Sequence, residues 1–157
     1  MGESPEVTLG GRLRESGATL ATAESCSGGL IAHRITSGAG SSEYFLGGMV
    51  TYSNDAKEKF LGVQTNSLQQ FGAVSEAVAS EMVQGVARQF GSTYAVAVTG
   101  IAGPGGGTPE KPVGLVYIGV CAPSAVRVHE HHFFGDRASV KEQTAEQALQ
   151  HLLELAP

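Results

Sequence analysis

One short segment of the chain limits the possible folds more than any other. Residues 94–99 read Tyr-Ala-Val-Ala-Val-Thr, an almost wholly apolar run of strand length, and a glycine-rich stretch over residues 100–109 follows directly. A strand with one face in water alternates apolar and polar residues, whereas a strand buried on both faces does not. We therefore predict that this strand lies inside a sheet covered by helices on both faces.

Helix and strand patterns on either side of this strand define the fold class. After Ser75, which is a good helix cap, apolar residues recur at every fourth position: Val78, Met82, Val86 and Phe90. Two adjacent strand patterns, 113–121 and 126–134, favour a paired hairpin near the C-terminus. Because strands and helices otherwise alternate, the prediction is an α/β fold: a three-layer α/β/α sandwich with a mixed, mostly parallel sheet, in a single domain over residues 1–157.

The charge balance and the apolar runs argue against several classes of protein. Ten basic residues oppose 15 acidic ones, and a net charge of −5 has the wrong sign for holding a nucleic-acid backbone. The longest apolar stretch, residues 113–122, is far shorter than the ~20 residues of a membrane-spanning helix, and the N-terminus lacks a signal-peptide pattern. Cys26 and Cys121 are not spaced as a Cys-x-x-Cys pair. We expect a cytoplasmic protein with reduced thiols and neither nucleic-acid nor membrane partners.

Glycine is about twice as frequent as usual, with 22 glycines in 157 residues against a typical share of ~7%. One glycine turn, residues 24–29, reads Glu-Ser-Cys-Ser-Gly-Gly between a predicted strand and a predicted helix. Free N–H groups at such a helix start favour a phosphate or a developing oxyanion. The simpler alternative is that Ser25 or Ser27 only caps the helix. Cys26 has no basic neighbour in sequence, so we expect a buried, inert thiol.

Two further segments follow predicted strands. Lys57 and Lys59 are two of only four lysines, and their spacing on a predicted helix turns them in different directions, so that one can face inward while the other is solvated. The simpler alternative is that both are surface charges, as most lysines are. The glycine-rich stretch 100–109 has neither the G-x-G-x-x-G nor the G-x-x-x-x-G-K-[ST] pattern, which excludes a Rossmann or P-loop site there. Its backbone either approaches a ligand closely or merely turns a corner.

The run His129-Glu-His-His132 suggests a metal site. On a strand, His129 and His131 share one face. The chain has only two aspartates and offers no clear third ligand, so we interpret the histidines as an exposed strand face and expect no metal. Arg137 lies at the first turn of the last predicted helix, where a cation opposes the helix dipole, and is therefore a candidate for binding an anion.

Several segments become informative when they are taken together: Ala23-Glu-Ser-Cys-Ser-Gly-Gly29, Gly40-Ser-Ser42, Val50-Thr-Tyr-Ser-Asn54 with Ala56-Lys57, Leu61-Gly-Val63, Gly72-Ala-Val-Ser75, Thr99-Gly-Ile-Ala-Gly-Pro104, Lys111-Pro-Val-Gly114 and Gly135-Asp-Arg137. In this order they resemble the CinA C-terminal domain family over essentially the whole chain. Members of that family that act as enzymes are nicotinamide mononucleotide amidohydrolases, which release nicotinic acid mononucleotide and ammonia. Because only about twenty residues precede the first motif, the resemblance implies the stand-alone form, without the preceding molybdopterin-binding-like domain of longer members.

The resemblance also implies roles for individual residues. Ser25 would be the nucleophile, Lys57 its base, and Tyr52 a residue that orients Lys57 or relays a proton. Substrate contacts are implied for Ser27, Gly28, Gly29, Ser42, Asn54, Thr99, Gly100, Gly103 and Arg137. The implied partner is the nucleotide substrate, with no cofactor and no metal. We expect a homo-oligomer, with a dimer favoured.

Two other functions remain as alternatives. The same pocket without catalysis would make a regulatory module that binds pyridine nucleotides, and the family's competence-related name suggests an interaction protein linked to DNA uptake or repair. The presence of Ser25, Tyr52 and Lys57 together favours an enzyme. The net charge of −5 argues against direct contact with DNA.

Overall fold

The computed structural model describes residues 2–157, so Met1, which the predicted domain includes, lies outside the described residues. Twelve regular elements follow one another along this part of the chain: α1 Pro5–Ser16, β1 Leu20–Glu24, α2 Leu30–Thr36, a 3₁₀ turn Ser41–Glu43, β2 Phe45–Val50, α3 Asn54–Leu61, α4 Thr65–Phe71, α5 Glu76–Phe90, β3 Tyr94–Gly100, β4 Leu115–Ala122, β5 Ala125–His132 and α6 Arg137–Leu155. Among the described residues, no helix combines the length and apolar character that crossing a membrane requires.

The five strands form one sheet in the order β2-β1-β3-β4-β5. The pairs β1–β2 and β1–β3 are parallel, whereas β3–β4 and β4–β5 are antiparallel. Only β4 therefore runs against the common direction of the other four strands. This confirms the predicted mixed, mostly parallel sheet.

Helices cover both faces of the sheet, and β3 contributes to a hydrophobic core on each side. Val96 and Val98 pack into the core formed with α1, α2 and α6, while Ala95 and Ala97 pack into the core formed with α3 and α5. All four side chains are fully buried. The apolar run in the sequence is thus a central strand covered on both faces, as predicted, and the molecule is a three-layer α/β/α sandwich.

Two elements differ clearly from the sequence prediction, while β4 and β5 shift by no more than two residues at either end from the predicted 113–121 and 126–134. The run Gly-Met-Val-Thr-Tyr-Ser in the sequence predicts the second strand at residues 48–53, but β2 ends at Val50 because the next residues leave the sheet to begin α3. The first half of β2 was missed because Gly47 and Gly48 interrupt the strand pattern. Glycine is required at position 48 because a Cβ there would lie 2.2 Å from the Thr22 hydroxyl of β1. Helix α4 was not predicted, since its seven residues contain only two apolar side chains.

Candidate active site

The site lies where three parallel strands end side by side. In the sheet register, Glu24 at the end of β1 pairs with Val50 of β2 and Val98 of β3. The next residue, Ser25, donates its backbone N–H to the Val98 carbonyl at 3.2 Å. This edge is where α/β sheets ordinarily bind ligands.

The turn after β1 is held by a buried carboxylate. Glu24, 1% exposed, accepts hydrogen bonds from the backbone N–H groups of Ile31 and Ala32 at 2.9 and 3.0 Å. Ser27 donates its hydroxyl to the same carboxylate at 2.6 Å. Glu24 therefore caps α2, and the alternative that Ser25 or Ser27 caps this helix is wrong. Because the Ser27 hydroxyl is bonded to Glu24, the substrate contact that the resemblance implies for Ser27 falls to its backbone N–H.

The side chains of Ser25 and Lys57 are in hydrogen-bond contact. Lys57, in the first turn of α3, is 1% exposed, and its Nζ lies 3.0 Å from Ser25 Oγ. The same Nζ donates to the backbone carbonyls of Thr51 at 2.8 Å and Tyr52 at 3.1 Å. Lys59, two residues further on, is exposed. Lys57 therefore faces inward while Lys59 is solvated, and the alternative that both lysines are surface charges is wrong.

Burial changes the acidity of this lysine. Loss of solvent lowers the pKa of Lys57 from its ordinary 10.5 to about 8. In the neutral amine, two N–H bonds serve the Thr51 and Tyr52 carbonyls, and the lone pair is left facing the Ser25 hydroxyl. This arrangement can remove a proton from Ser25, which a charged ammonium cannot do.

Cys26 lies beside this pair but has the opposite character. Its side chain is buried, and loss of solvent raises the pKa of the thiol to about 11. The thiol is therefore protonated near neutral pH and is a poor nucleophile. This agrees with the expected buried, inert cysteine.

Tyr52 and Arg137 form the outer rim of the site. Arg137 Nη1 donates to the Gly103 carbonyl at 2.8 Å, and Nη2 donates to the Tyr52 hydroxyl at 3.0 Å. Tyr52 thus contacts Lys57 through its backbone carbonyl, while its side chain is 61% exposed and bonded to Arg137. Of the two roles expected for Tyr52, orienting the lysine is the one that these contacts favour.

A cavity of about 200 Å³ opens onto the Ser25 hydroxyl. Of the residues implied by the resemblance, it is lined by Ser25, Tyr52, Asn54, Lys57, Thr99, Gly100 and Arg137. Thr99, 1% exposed, donates its hydroxyl to the Ala73 carbonyl at 3.0 Å and so fixes the loop before α5 against the cavity. A Cβ on Gly100 would lie 2.8 Å from the Leu115 carbonyl, so this glycine makes room for β4.

A second, larger cavity of about 630 Å³ adjoins the first and shares Arg137 with it. The implied residues Ser27, Gly28 and Gly29 line this second cavity, together with Lys141 of α6. Gly28 and Gly29 have φ of 61° and 102°, which only glycine adopts without strain. Lys141 was missed in the sequence, although it lies four residues after Arg137 and hence on the same side of α6.

Ser42 is not part of this site. It is exposed in the 3₁₀ turn that precedes β2, at the amino end of that strand, whereas Ser25 follows the carboxyl end of the neighbouring parallel strand. The six residues of β2 separate the two ends by about 20 Å. Most of the glycine-rich stretch also stays outside: Gly105, Gly106 and Gly107 line neither of the two cavities.

Comparison with known proteins assigns the chain to the same family by profile and by sequence identity. The profile of the family described as CinA C-terminal domain matches residues 3–156. A putative competence-damage inducible protein of Moorella thermoacetica is 53% identical over 144 residues, which are 92% of this chain and 35% of that protein. A CinA-like protein of Salinibacter ruber is 50% identical, with 92% and 35% covered. The chain thus spans about a third of the length of these curated relatives.

Solved structures agree in fold and in sequence. The competence/damage inducible protein CihA from Agrobacterium tumefaciens superposes with a TM-score of 0.91 at 43% identity, covering 99% of this chain and 98% of that one. A CinA superfamily protein from Escherichia coli gives a TM-score of 0.93 at 34% identity, with 96% and 88% covered. The chain belongs to the CinA C-terminal domain family.

Proposed function

We propose that this protein hydrolyses the carboxamide of nicotinamide mononucleotide to nicotinic acid mononucleotide and ammonia, through an acyl-enzyme formed on Ser25. The observation that carries the proposal is the buried Lys57 amine, 3.0 Å from Ser25 Oγ, with a pKa of about 8. A serine needs a base to become a nucleophile, and a lysine serves as that base only when its environment keeps it partly neutral. The Ser25 and Lys57 side chains meet both conditions.

The first half-reaction transfers the acyl group. The neutral Lys57 amine takes the proton of Ser25 as Oγ attacks the carboxamide carbon, and the carbonyl oxygen becomes an oxyanion. Backbone N–H groups of the turn 27–29 stabilise that charge, from Ser27 and Gly29 in particular, because the Gly28 N–H already donates to the Ser25 carbonyl at 3.1 Å. Lys57 then passes its proton to the leaving nitrogen, the C–N bond breaks and ammonia departs.

The second half-reaction restores the enzyme. Water attacks the acyl carbon, Lys57 accepts a proton from it, and Ser25 Oγ leaves as the alkoxide and recovers that proton. The balance is one carboxamide and one water consumed, one carboxylic acid and one ammonia formed. None of these steps calls for a metal or an organic cofactor.

The two adjoining cavities fit the two ends of this substrate. The nicotinamide ring occupies the cavity of about 200 Å³ beside Ser25, and the ribose phosphate extends past Arg137 into the cavity of about 630 Å³. There the guanidinium of Arg137 and the amine of Lys141 provide positive charge in a chain whose net charge is −5. Arg137 therefore binds the phosphate in this proposal.

The deciding experiment incubates the purified protein with nicotinamide mononucleotide, with and without a chelator, and measures nicotinic acid mononucleotide and ammonia. We expect both products in equal amounts in either condition. Ser25→Ala and Lys57→Ala should each abolish turnover. Cys26→Ala, at a neighbouring buried position, is the matched control and should retain most of the activity.

Three outcomes would contradict the proposal. Tight nucleotide binding without product would favour the regulatory binding module instead. Loss of activity in Cys26→Ala with retention in Ser25→Ala would make the nucleophile a thiol. Activity that disappears with chelator would require a metal-assisted mechanism.

We further propose that the protein forms a homo-oligomer, most simply a dimer. Light scattering tests this, and we expect a particle of twice the monomer mass.

A further inference from the structure

Four titratable side chains meet between strand β5 and helix α6, away from the candidate active site. They are His129 and His131 of β5 and His151 and Glu154 of α6. His151 lies fourteen residues after Arg137 on α6, a helical distance of about 21 Å. The cluster is thus separate from Ser25 and its surroundings, and the proposed hydrolysis uses none of it.

His129 and His131 are not the exposed strand face that the sequence suggested. Both are half-buried because they point towards α6, while His132 points to the other side of β5 and is exposed. The His129 ring lies flat against the His151 ring, with centroids 3.7 Å and planes 3° apart, and His151 is 8% exposed. On this face of the sheet, β4 contributes the apolar side chains of Val116, Ile118 and Val120. The three imidazoles therefore form a partly buried contact between the edge strand and the last helix.

When all three rings are neutral, the close contacts of the cluster are satisfied. Nε2 of His131 and Nε2 of His151 are 2.8 Å apart, and Nδ1 of His151 lies 3.3 Å from Glu154 Oε2. A neutral imidazole donates from one nitrogen and accepts at the other. His151 therefore donates from Nδ1 to the Glu154 carboxylate and accepts at Nε2 from His131.

The same geometry limits how many protons the closed cluster can hold. If His151 is charged, a charge on His131 sets two N–H groups against each other at 2.8 Å, and a charge on His129 sets two cationic rings face to face at 3.7 Å. If His151 stays neutral, charges on both strand histidines are half-buried and away from the carboxylate that contacts His151. Three protons cannot be held without breaking a contact between β5 and α6.

The surrounding charges do not remove this limit. The charged and titratable groups around the three rings are Arg127 and His132 of β5, Glu154 of α6, Glu130 on the far side of β5, where it accepts from Tyr117, and Arg12 of α1, which donates to the Leu153 carbonyl. Burial is the main cause that lowers the pKa of His129 and His131 below the ordinary 6.5, and the neighbouring imidazoles lower it further. The neutral cluster is therefore the form that the fold favours.

We propose that His129, His131 and His151 form a pH-sensitive latch, which holds the last turns of α6 against β5 while the rings are neutral and releases them as the rings are protonated. The opening is local, because Ala145 and Leu149 keep the preceding part of α6 in the core and β5 is held on one side only, by β4.

The direction of the pH effect follows from the proton count. Released imidazoles bind protons with the ordinary pKa of 6.5, whereas the closed latch binds fewer than three. Opening therefore takes up at least one proton, so the closed form loses stability as the pH falls below about 6.5 and is unaffected well above it.

Hydrogen exchange measured by mass spectrometry tests the latch. Protection factors, which are corrected for the intrinsic pH dependence of exchange, are compared at pH 7 and pH 5 for peptides that cover β5 and the last two turns of α6. Uptake of one proton on opening favours the open form about 25-fold over this range, and we expect protection to fall at least about tenfold. Because no substrate is present, this result stands apart from the proposed hydrolysis.

Variants distinguish the latch from general sensitivity to acid. The double variant His129→Phe/His131→Gln keeps a ring against His151 and an amide donor towards it but removes two titratable groups, so its protection should change by less than about threefold. Each single variant should respond less than the parent, which keeps the test valid if the double variant does not fold. His132→Gln, exposed on the other side of β5, is the matched control and should keep the full response.

Three results would overturn the proposal. The first is unchanged protection in the parent chain between pH 7 and pH 5. The second is the full response of the parent in the double variant or in both single variants. The third is a response that disappears in His132→Gln.

Discussion

The hydroxyl of Tyr52 accepts a hydrogen bond from Arg137 Nη2 at 3.0 Å, across 85 residues of sequence and over the mouth of the cavity beside Ser25. The same guanidinium lines the larger cavity that adjoins it. A rigid, always charged group at the junction of two cavities is well placed to bind an anion at one end of a substrate while the other end reacts. A substitution of Arg137 should therefore change the affinity for the substrate while leaving the chemical step at Ser25 largely intact.

Replacing Arg137 by glutamine should weaken nucleotide binding far more than it slows the chemical step. A hydrogen bond to a charged group is worth about 1.5–3 kcal/mol, so the KM for nicotinamide mononucleotide should rise about 10- to 100-fold, with a much smaller change in kcat. Steady-state kinetics measure this. The riboside lacks the phosphate and serves as the control substrate; an equal loss of kcat/KM for both compounds would show that Arg137 does not bind phosphate.

Tyr52→Phe distinguishes the role of the backbone carbonyl of this residue from the role of its hydroxyl. The Tyr52 carbonyl that accepts from Lys57 is retained, whereas the bond to Arg137 is lost. We expect kcat to stay within about threefold of the parent and KM to rise modestly, by less than about tenfold, as for one exposed hydrogen bond. A loss of kcat as large as that of Lys57→Ala would instead assign proton transfer to the hydroxyl.

The pH dependence of activity should reflect the protonation state of Lys57. Its pKa of about 8 means that the neutral amine is the minority form at pH 7 and the majority form above pH 8. The rate of acylation should therefore rise about tenfold per pH unit below 8 and level off above it. Rapid-quench measurement of the first turnover between pH 6 and 9.5 tests this. A rate independent of pH across that range would rule out Lys57 as the base.

Lys57 should also make folding stability depend on pH. The folded protein releases the lysine proton near pH 8 and the unfolded chain near 10.5, so between these values the unfolded state holds more protons. Stability contributed by this group therefore rises with pH across that window, by no more than about 3.5 kcal/mol, and is flat below it. Lys57→Met lacks this dependence. Urea unfolding of both chains from pH 7 to 10.5 should show the parent gaining relative to the variant.

Much of the fold could be predicted because local and tertiary preferences agree in its central elements. The four-residue apolar repeat of α5 and the unbroken apolar run of β3 both face a core in the structure. Prediction was weaker where a strand carries glycines, as in β2, because close packing between β1 and β2 requires small residues that the propensity rules count against a strand.

The site was predictable where one local motif defines a position and harder where the fold brings distant residues together. Ser25 and Lys57 stand in recognisable segments, and parallel strands bring their ends to the same edge. Ser42 was misplaced because its segment precedes a strand and so lies at the opposite edge. Lys141 was missed because the cavity that it lines is set by the path of α6 across the sheet, although its spacing of four residues from Arg137 places both side chains on one side of that helix.

Glu24 should prove more important for stability than for chemistry. Its buried carboxylate accepts three hydrogen bonds, from the Ser27 hydroxyl and the N–H groups of Ile31 and Ala32, and no other side chain caps α2 among the described residues. Glu24→Gln places an amide NH₂ where one of these acceptors stood, so the free energy of unfolding should fall by about 1–3 kcal/mol, measured by urea denaturation. Glu15→Gln, at an exposed position of α1, is the control and should change it by less than about 0.5 kcal/mol. Equal stability of the two variants would mean that α2 is held by packing alone.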